Sequence, residues 1–177
     1  MISGDVIGLR AIAREDLPLL LEWRNRPDFR CYFREHRELA MEDQTRWFET
    51  IVRADPAVRM FSIVETASDD LIGACGLCYI DSRNQSADLS IYVGKDELYI
   101  DETYAPDAAR TLIKYGFEEV NLHRIWAEIY STDEKKQNFF DDLGFTLEGR
   151  HRETRWVNGA WVDSLYYGIL RSDYYDD

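Results

Sequence analysis

A chain of 177 residues with 45% apolar and 31% charged side chains is long enough, and apolar enough, to fold around a sizeable core. Its formal net charge of −13 argues against nucleic acid as a partner, since phosphate backbones are held by a Lys/Arg surplus. No run approaches the roughly 18 to 20 apolar residues of a membrane span, and the first ten residues lack a basic stretch leading into an apolar one. A cytoplasmic protein without membrane contact is therefore expected, and the acidic balance suits a cationic or amine-bearing ligand.

In chain order, "VIGLRAI" alternates as a strand, and "REDLPLLLEWRN" follows as an amphipathic helix closed before Pro27. "MEDQTRWFETIVRA" reads as a second helix. Three strands come next, "VRMFSIVE", "DLIGACGLCYI" and "SADLSIYVG", joined by the polar turns "TASDD" and "DSRNQ". A third helix is expected from Pro106 to about Val120, then the strand "HRIWAEIY" and a fourth helix, "DEKKQNFFDDL", stopped by Gly144. The chain closes with a hairpin, "FTLEGRHRETRWV" and "WVDSLYYGIL", turning at Asn158-Gly159. A strand–helix–strand unit among hairpins implies a mixed sheet with helices on its faces.

The three cysteines, Cys31, Cys75 and Cys78, are too few and odd in number for a disulfide framework. "CGLC" lies inside a strand, so Cys75 and Cys78 point to opposite faces. All three are expected in the core, with no metal bound. The stretch "DELYIDETYAPDAARTL", residues 96 to 112, poses a conflict. A turn that opens a helix offers free backbone N–H groups and a positive dipole end to an anion. Yet this turn has no glycine and carries Asp101 and Glu102, whose charges would repel one.

The element order, with "FFDDLGF", "LEGRHRE" and "VNGAWVDSLYYGIL" in the C-terminal half, resembles the GNAT acyltransferase superfamily, in particular the branch acting on ribosomal-protein N-termini, polyamines and amino sugars. "LLEWRNRPDFRCYF" and "TRWF" resemble the branch that N-acetylates nucleotide-linked amino sugars. The resemblance implies one α/β (α+β) domain over residues 1–177, a mixed central sheet of about seven strands flanked by about four helices. It implies acetyl-CoA as co-substrate, wedged between "SADLSIYVG" and "HRIWAEIY".

On that resemblance Asp88 is the general base and Ser90 begins the run whose N–H groups polarise the thioester. Leu89, Ile91 and Tyr92 line the pantetheine arm. Thr103, Tyr104 and Ala105 form the phosphate turn, with Arg110 one turn into the helix. Asp133 opens the fourth helix as a cap that could also accept a pantetheine amide. The implied substrate side comprises Trp23, Arg24, Asn25 and Trp47, with Arg26, Arg30 and Phe48 beside them and Glu35 and His36 as alternative bases. Lys135 and Lys136 are further phosphate candidates. Against these stand plainer readings: Asp88 as a solvated strand residue, Arg110 as a surface ion-pair partner of Asp107, and Trp23, Trp47, Phe48 and Trp126 as core.

Three departures from the family pattern accompany the resemblance. The glycines of the phosphate turn are missing, Phe140 stands where many relatives carry a Tyr general acid, and Asp133 replaces an Asn. The implied activity is N-acetylation of a primary amine of a small molecule, with a nucleotide-linked amino sugar favoured. A polyamine or protein N-terminus is the alternative within that activity. A GNAT-fold binding or partner protein with lost or altered activity is the alternative outside it. A homodimer is compatible with either.

Overall fold

The computed structural model describes residues 1–175. The strands are β1 (Ile2–Ser3), β2 (Ile7–Ala11), β3 (Arg59–Glu65), β4 (Leu71–Asp81), β5 (Ser86–Val93), β6 (Arg124–Tyr130), β7 (Thr146–Val157) and β8 (Ala160–Leu170). They form one eight-stranded sheet in the order β1-β2-β3-β4-β5-β6-β8-β7. All neighbours are antiparallel except β5 and β6, which run parallel. The eighth strand, β1, is two residues long and has no period to read in the sequence.

The helices are α1 (Leu17–Asn25), α2 (Pro27–Arg30), α3 (Met41–Trp47), α4 (Tyr104–Glu118), α5 (Glu134–Asp142) and α6 (Arg171–Tyr175). Six replace the four expected, because α2 and α6 are single turns. Two expected helices also change character along their length. Arg14–Asp16 enters α1 as a 3-10 turn, and Phe48–Val52 continues α3 as a π-helical turn. Helix α4 starts at Tyr104, two residues ahead of Pro106, which still sits where its missing N–H has no intrahelical partner to lose.

Crossover helix α4 carries its apolar side, including Ala105, Ala108, Leu112, Ile113 and Phe117, against the sheet. The closing hairpin turns as expected, with φ of 49° at Asn158 and 83° at Gly159. Gly144 ends α5 with φ of 81°, the left-handed conformation that glycine adopts without a Cβ penalty. Of the cysteines only Cys75 is fully buried; Cys78 is half-buried and Cys31 lies partly exposed after α2, so the all-core expectation fails for two of three. Burial pushes the Cys78 thiol up to about 12 and raises those of Cys75 and Cys31 too, which leaves none poised as a thiolate.

The sheet's defining feature is its one parallel seam. Strands β5 and β6 pair only at Ser86–Arg124, Ala87–Ile125 and Asp88–Trp126. Beyond that point β5 continues beside β4 as far as Val93, while β6 stays with β8 through Tyr130. The two strands part, and the gap opens toward the N-terminus of α5.

Trp23 on α1 locks the end of β5 in place. A Cβ at Gly94 would lie 1.9 Å from the indole Cδ2, and the Gly94 N–H donates to the Ile72 carbonyl at 2.8 Å. Neither the ring nor the paired backbone can yield freely. Gly94→Ala is expected to cost about 2 kcal/mol of stability, read as a lower urea midpoint; an unchanged midpoint would show the contact is slack.

Candidate functional site

The parted strands leave unpaired backbone groups. The Val93 N–H donates to Tyr99 and the Tyr99 N–H donates back, both at 2.8 Å, so Val93 faces the β6 side. Strand alternation then turns the N–H groups of Leu89 and Ile91 the same way; that of Leu89 is taken up by the last rung of the β5–β6 ladder, at Asp88–Trp126, and that of Ile91 opens into the gap. Those of Ser90 and Tyr92 face β4, which corrects the expectation that the run from Ser90 to Tyr92 offers its N–H groups to the gap. Ser90 and Tyr92 instead line, with Asp88, a cavity of about 250 Å³ between the strands.

Asp88 is 3% exposed, not a solvated strand residue. Arg34 Nη1 donates to its Oδ2 at 2.9 Å, and Arg34 Nε lies 3.4 Å from Glu128 Oε2 on β6. Glu128 is further held by Arg155 Nη2 at 2.8 Å and by the Ser164 hydroxyl at 2.7 Å. One guanidinium thus bridges two buried carboxylates across the seam. Burial pushes the Asp88 carboxyl up, and Arg34 offsets only part of that. Burial acts on Glu128 too, but Ser164, Arg155 and Arg34 outweigh it and hold its carboxyl below the usual range. Two neighbouring carboxyls pushed apart in this way can divide the roles of proton acceptor and fixed anion.

Of the expected substrate residues, Arg24, Glu35 and Trp47 line the cavity. The buried Arg24 Nε has no hydrogen-bond partner, and its guanidinium lies over the Phe33 ring at 5.4 Å from the centroid. Glu35 binds Arg37 through both side-chain oxygens, which lowers its carboxyl to about 2 and removes it as a base. His36 lines an adjoining cavity of about 520 Å³. Trp23 is buried against Gly94, and Asn25 is spent on Leu39, donating to its carbonyl and accepting from its N–H at 2.8 Å each. Asn25 therefore pins the segment that carries Arg34. Phe48 is buried in the core.

The turn before α4 resolves the conflict seen in its sequence. Asp101 Oδ2 accepts from the N–H groups of Thr103 and Tyr104 at 2.9 and 2.8 Å, and Oδ1 accepts from Ala105 at 2.8 Å. Its carboxylate fills the place an external anion would take. No glycine is needed there, since Thr103 has φ of −122°; the left-handed residues are Asp96, Glu97 and Tyr99, further upstream. Arg110 and Lys135 line a second cavity, about 720 Å³, beside this turn. Asp107 does not pair with Arg110: it accepts from the N–H groups of Asp5, Val6 and Ile7 at 2.8 to 3.1 Å.

Asp133 is committed as well, accepting from the Lys136 N–H at 3.2 Å as the α5 cap and from the Tyr99 hydroxyl at 2.5 Å. Lys136 faces the first cavity beside Phe140, rather than the turn. Arg34, Glu128, Tyr130 and the cavity side of Lys136 were missed from the sequence. A lone acid in "HRIWAEIY", in step with Trp126 and Tyr130, was the available signal for Glu128. Among the described residues no three His, Cys, Asp or Glu side chains cluster to hold a metal, and no helix is long and apolar enough to cross a membrane.

A mixed sheet whose parallel seam opens over a cavity with two buried carboxylates is the arrangement of an acyl-transfer site, and the family model for the acetyltransferase (GNAT) domain matches residues 9–166. The chain belongs to the GNAT acetyltransferase family and is an acetyl-CoA-dependent N-acetyltransferase. It is 29% identical over 170 residues to the spermidine N(1)-acetyltransferase of Vibrio cholerae, covering 94% of each chain. It is 30% identical to the uncharacterized N-acetyltransferase p20 of Bacillus licheniformis, over 64% of this chain and 63% of that protein's length. The crystal structure of the V. cholerae spermidine N-acetyltransferase in complex with CoA and spermine superposes with a TM-score of 0.86 at 25% identity, over 95% of this chain and 97% of that one. These relatives lend no support to the amino sugar favoured from sequence.

The residues present fit an acyl-pantetheine arm, for which Ile91 offers an open N–H group beyond the last paired rung of the seam. At the turn they do not fit a pyrophosphate, because Asp101 already holds the three donors. Asp101→Gly is expected to raise CoA affinity about tenfold by titration calorimetry, while costing about 1 kcal/mol of stability from the lost cap; unchanged or weaker CoA binding would show that phosphate does not approach this turn.

Proposed function

We propose that the chain acetylates a primary amine of a small polycation of the polyamine class. One observation carries the reading: the Arg34 guanidinium sits inside the cavity, bridging Asp88 and Glu128. The site holds a cation of this chain's own, and the same carboxylate pair would hold an ammonium that takes its place. The printed names of the relatives and the net charge of −13 support the same substrate class.

An amine attacks a thioester only when neutral. Asp88, its carboxyl raised by burial, is the better proton acceptor of the two, and Glu128, kept ionised by Arg155 and Ser164, anchors the remaining charge. The N–H group of Ile91 is the donor for the carbonyl oxygen as negative charge develops on it, with Leu89 beside it on the wall. Ser90, Tyr92, Arg24 and Trp47 shape the cavity wall. With Thr103, Tyr104 and Ala105 held by Asp101, Arg110 and Lys135 are the cations beside the turn left to meet the phosphates. For assembly, a dodecameric spermidine N-acetyltransferase from V. cholerae with TM-score 0.82 and 25% identity supports a multimer.

Thiol release from acetyl-CoA should be fastest with spermidine or spermine, slower with a peptide N-terminus and slowest with a nucleotide-linked amino sugar. Asp88→Asn should lower kcat with spermidine by about a hundredfold. An amino sugar that outpaces both polyamines, or no amine-dependent release at all, would overturn the reading.

A further inference from the structure

Acyl transfer from a thioester leaves a thiolate, and the cavity must supply a proton to it or bear its charge. Phe140 has no proton to give. Arg24 and Arg34 stay protonated at any working pH. The phenols of Tyr32, Tyr92 and Tyr130 are pushed up by burial, which makes each a poorer donor, and Tyr99 gives its hydroxyl hydrogen to Asp133. The Tyr79 ring stands at the solvent mouth of the cavity, largely exposed, with its centroid 5.4 Å from the Arg34 guanidinium carbon.

Lys136 remains. It lies one turn ahead of Phe140, so both point from the same side of α5 into the cavity that Asp88 and Ser90 line from β5. Its backbone N–H is fixed by the Asp133 cap, which sets the side chain's direction. Its ammonium, 5.3 Å from the Tyr99 ring centroid, makes no ion pair or hydrogen bond with any described residue.

We propose that Lys136 is the general acid that protonates the departing thiolate. The proposal rests on the acyl-transfer reading of the cavity. In the step, the amine nitrogen forms the C–N bond as the C–S bond breaks and its electron pair leaves on sulfur. A proton passes from Lys136 Nζ to that sulfur, giving the free thiol. Asp88 takes the ammonium proton before attack and passes it to solvent, then takes the proton shed as the C–N bond forms and releases that too, while solvent returns one to Lys136 before the next turnover. Burial lowers the ammonium's pKa, partly countered by Asp133 and Asp88, which moves it toward the roughly 8.5 of a thiol, where proton transfer is best matched.

The test combines kinetics with labelling. Lys136→Met should lower kcat about tenfold or more with the fastest amine, leave the amine KM within about threefold, and abolish the alkaline fall in kcat. Lys136→Arg, which keeps the charge but cannot release a proton at working pH, should lose the same alkaline limb. Separately, pH-dependent acylation with acetic anhydride, read by peptide mass spectrometry, should label Lys136 at lower pH than Lys95 or Lys114, with CoA protecting it. An active wild type matched by Lys136→Met, or Lys136 labelling in step with the other lysines and unprotected by CoA, overturns the proposal. A wild type that releases no thiol with any amine overturns the acyl-transfer reading and this proposal together.

Discussion

Everything at the site follows from one interruption in the sheet, the loss of pairing between β5 and β6 beyond Asp88–Trp126. Parallel strands normally keep their ladder, since an unpaired backbone group away from water costs as much as a lost hydrogen bond. Here the ladder is abandoned while both strands remain paired on their outer sides, β5 to β4 and β6 to β8. The gap therefore has rigid walls, an open N–H group at Ile91, and side chains from two strands converging across it.

Charge then organises the gap. Asp88 and Glu128, both buried, could not remain ionised side by side without cations, and Arg34 and Arg155 supply them. Removing one partner of such a pair leaves a buried charge unpaired, so the Arg34-bearing segment must be held in register. Asn25 does this through Leu39, and the stacking of Tyr32 on Tyr99, ring centroids 5.1 Å apart, adds to it. At the other end of the site Asp101 does the converse, an anion of the chain seated on backbone donors. Each end of the site thus carries an internal group of the charge sign proposed for its reactant.

Much of the fold was legible because its signals are local. Alternation placed the long strands, Asn158-Gly159 placed the hairpin turn, and Gly144 placed the end of α5. What escaped was short or tertiary in origin. Two-residue β1 has no period, and the π turn after Trp47 reflects packing of Phe48 into the core, which no propensity encodes. Asp88 was legible as a candidate by resemblance, but its Arg34 partner lies 54 residues away in a loop without periodicity. Asp101 was read correctly as an acid where an anion belongs. That it satisfies the turn, rather than merely repelling a ligand, depends on backbone directions the sequence does not carry.

The Asp88–Glu128 pair is the proposed amine site, with Arg34 as its internal occupant. A crystal structure with CoA and spermine bound tests it most directly. An ammonium should lie within hydrogen-bond distance of Asp88 or Glu128, with the Arg34 guanidinium displaced from between them. Spermine bound elsewhere, with the Arg34 bridge intact, would contradict it.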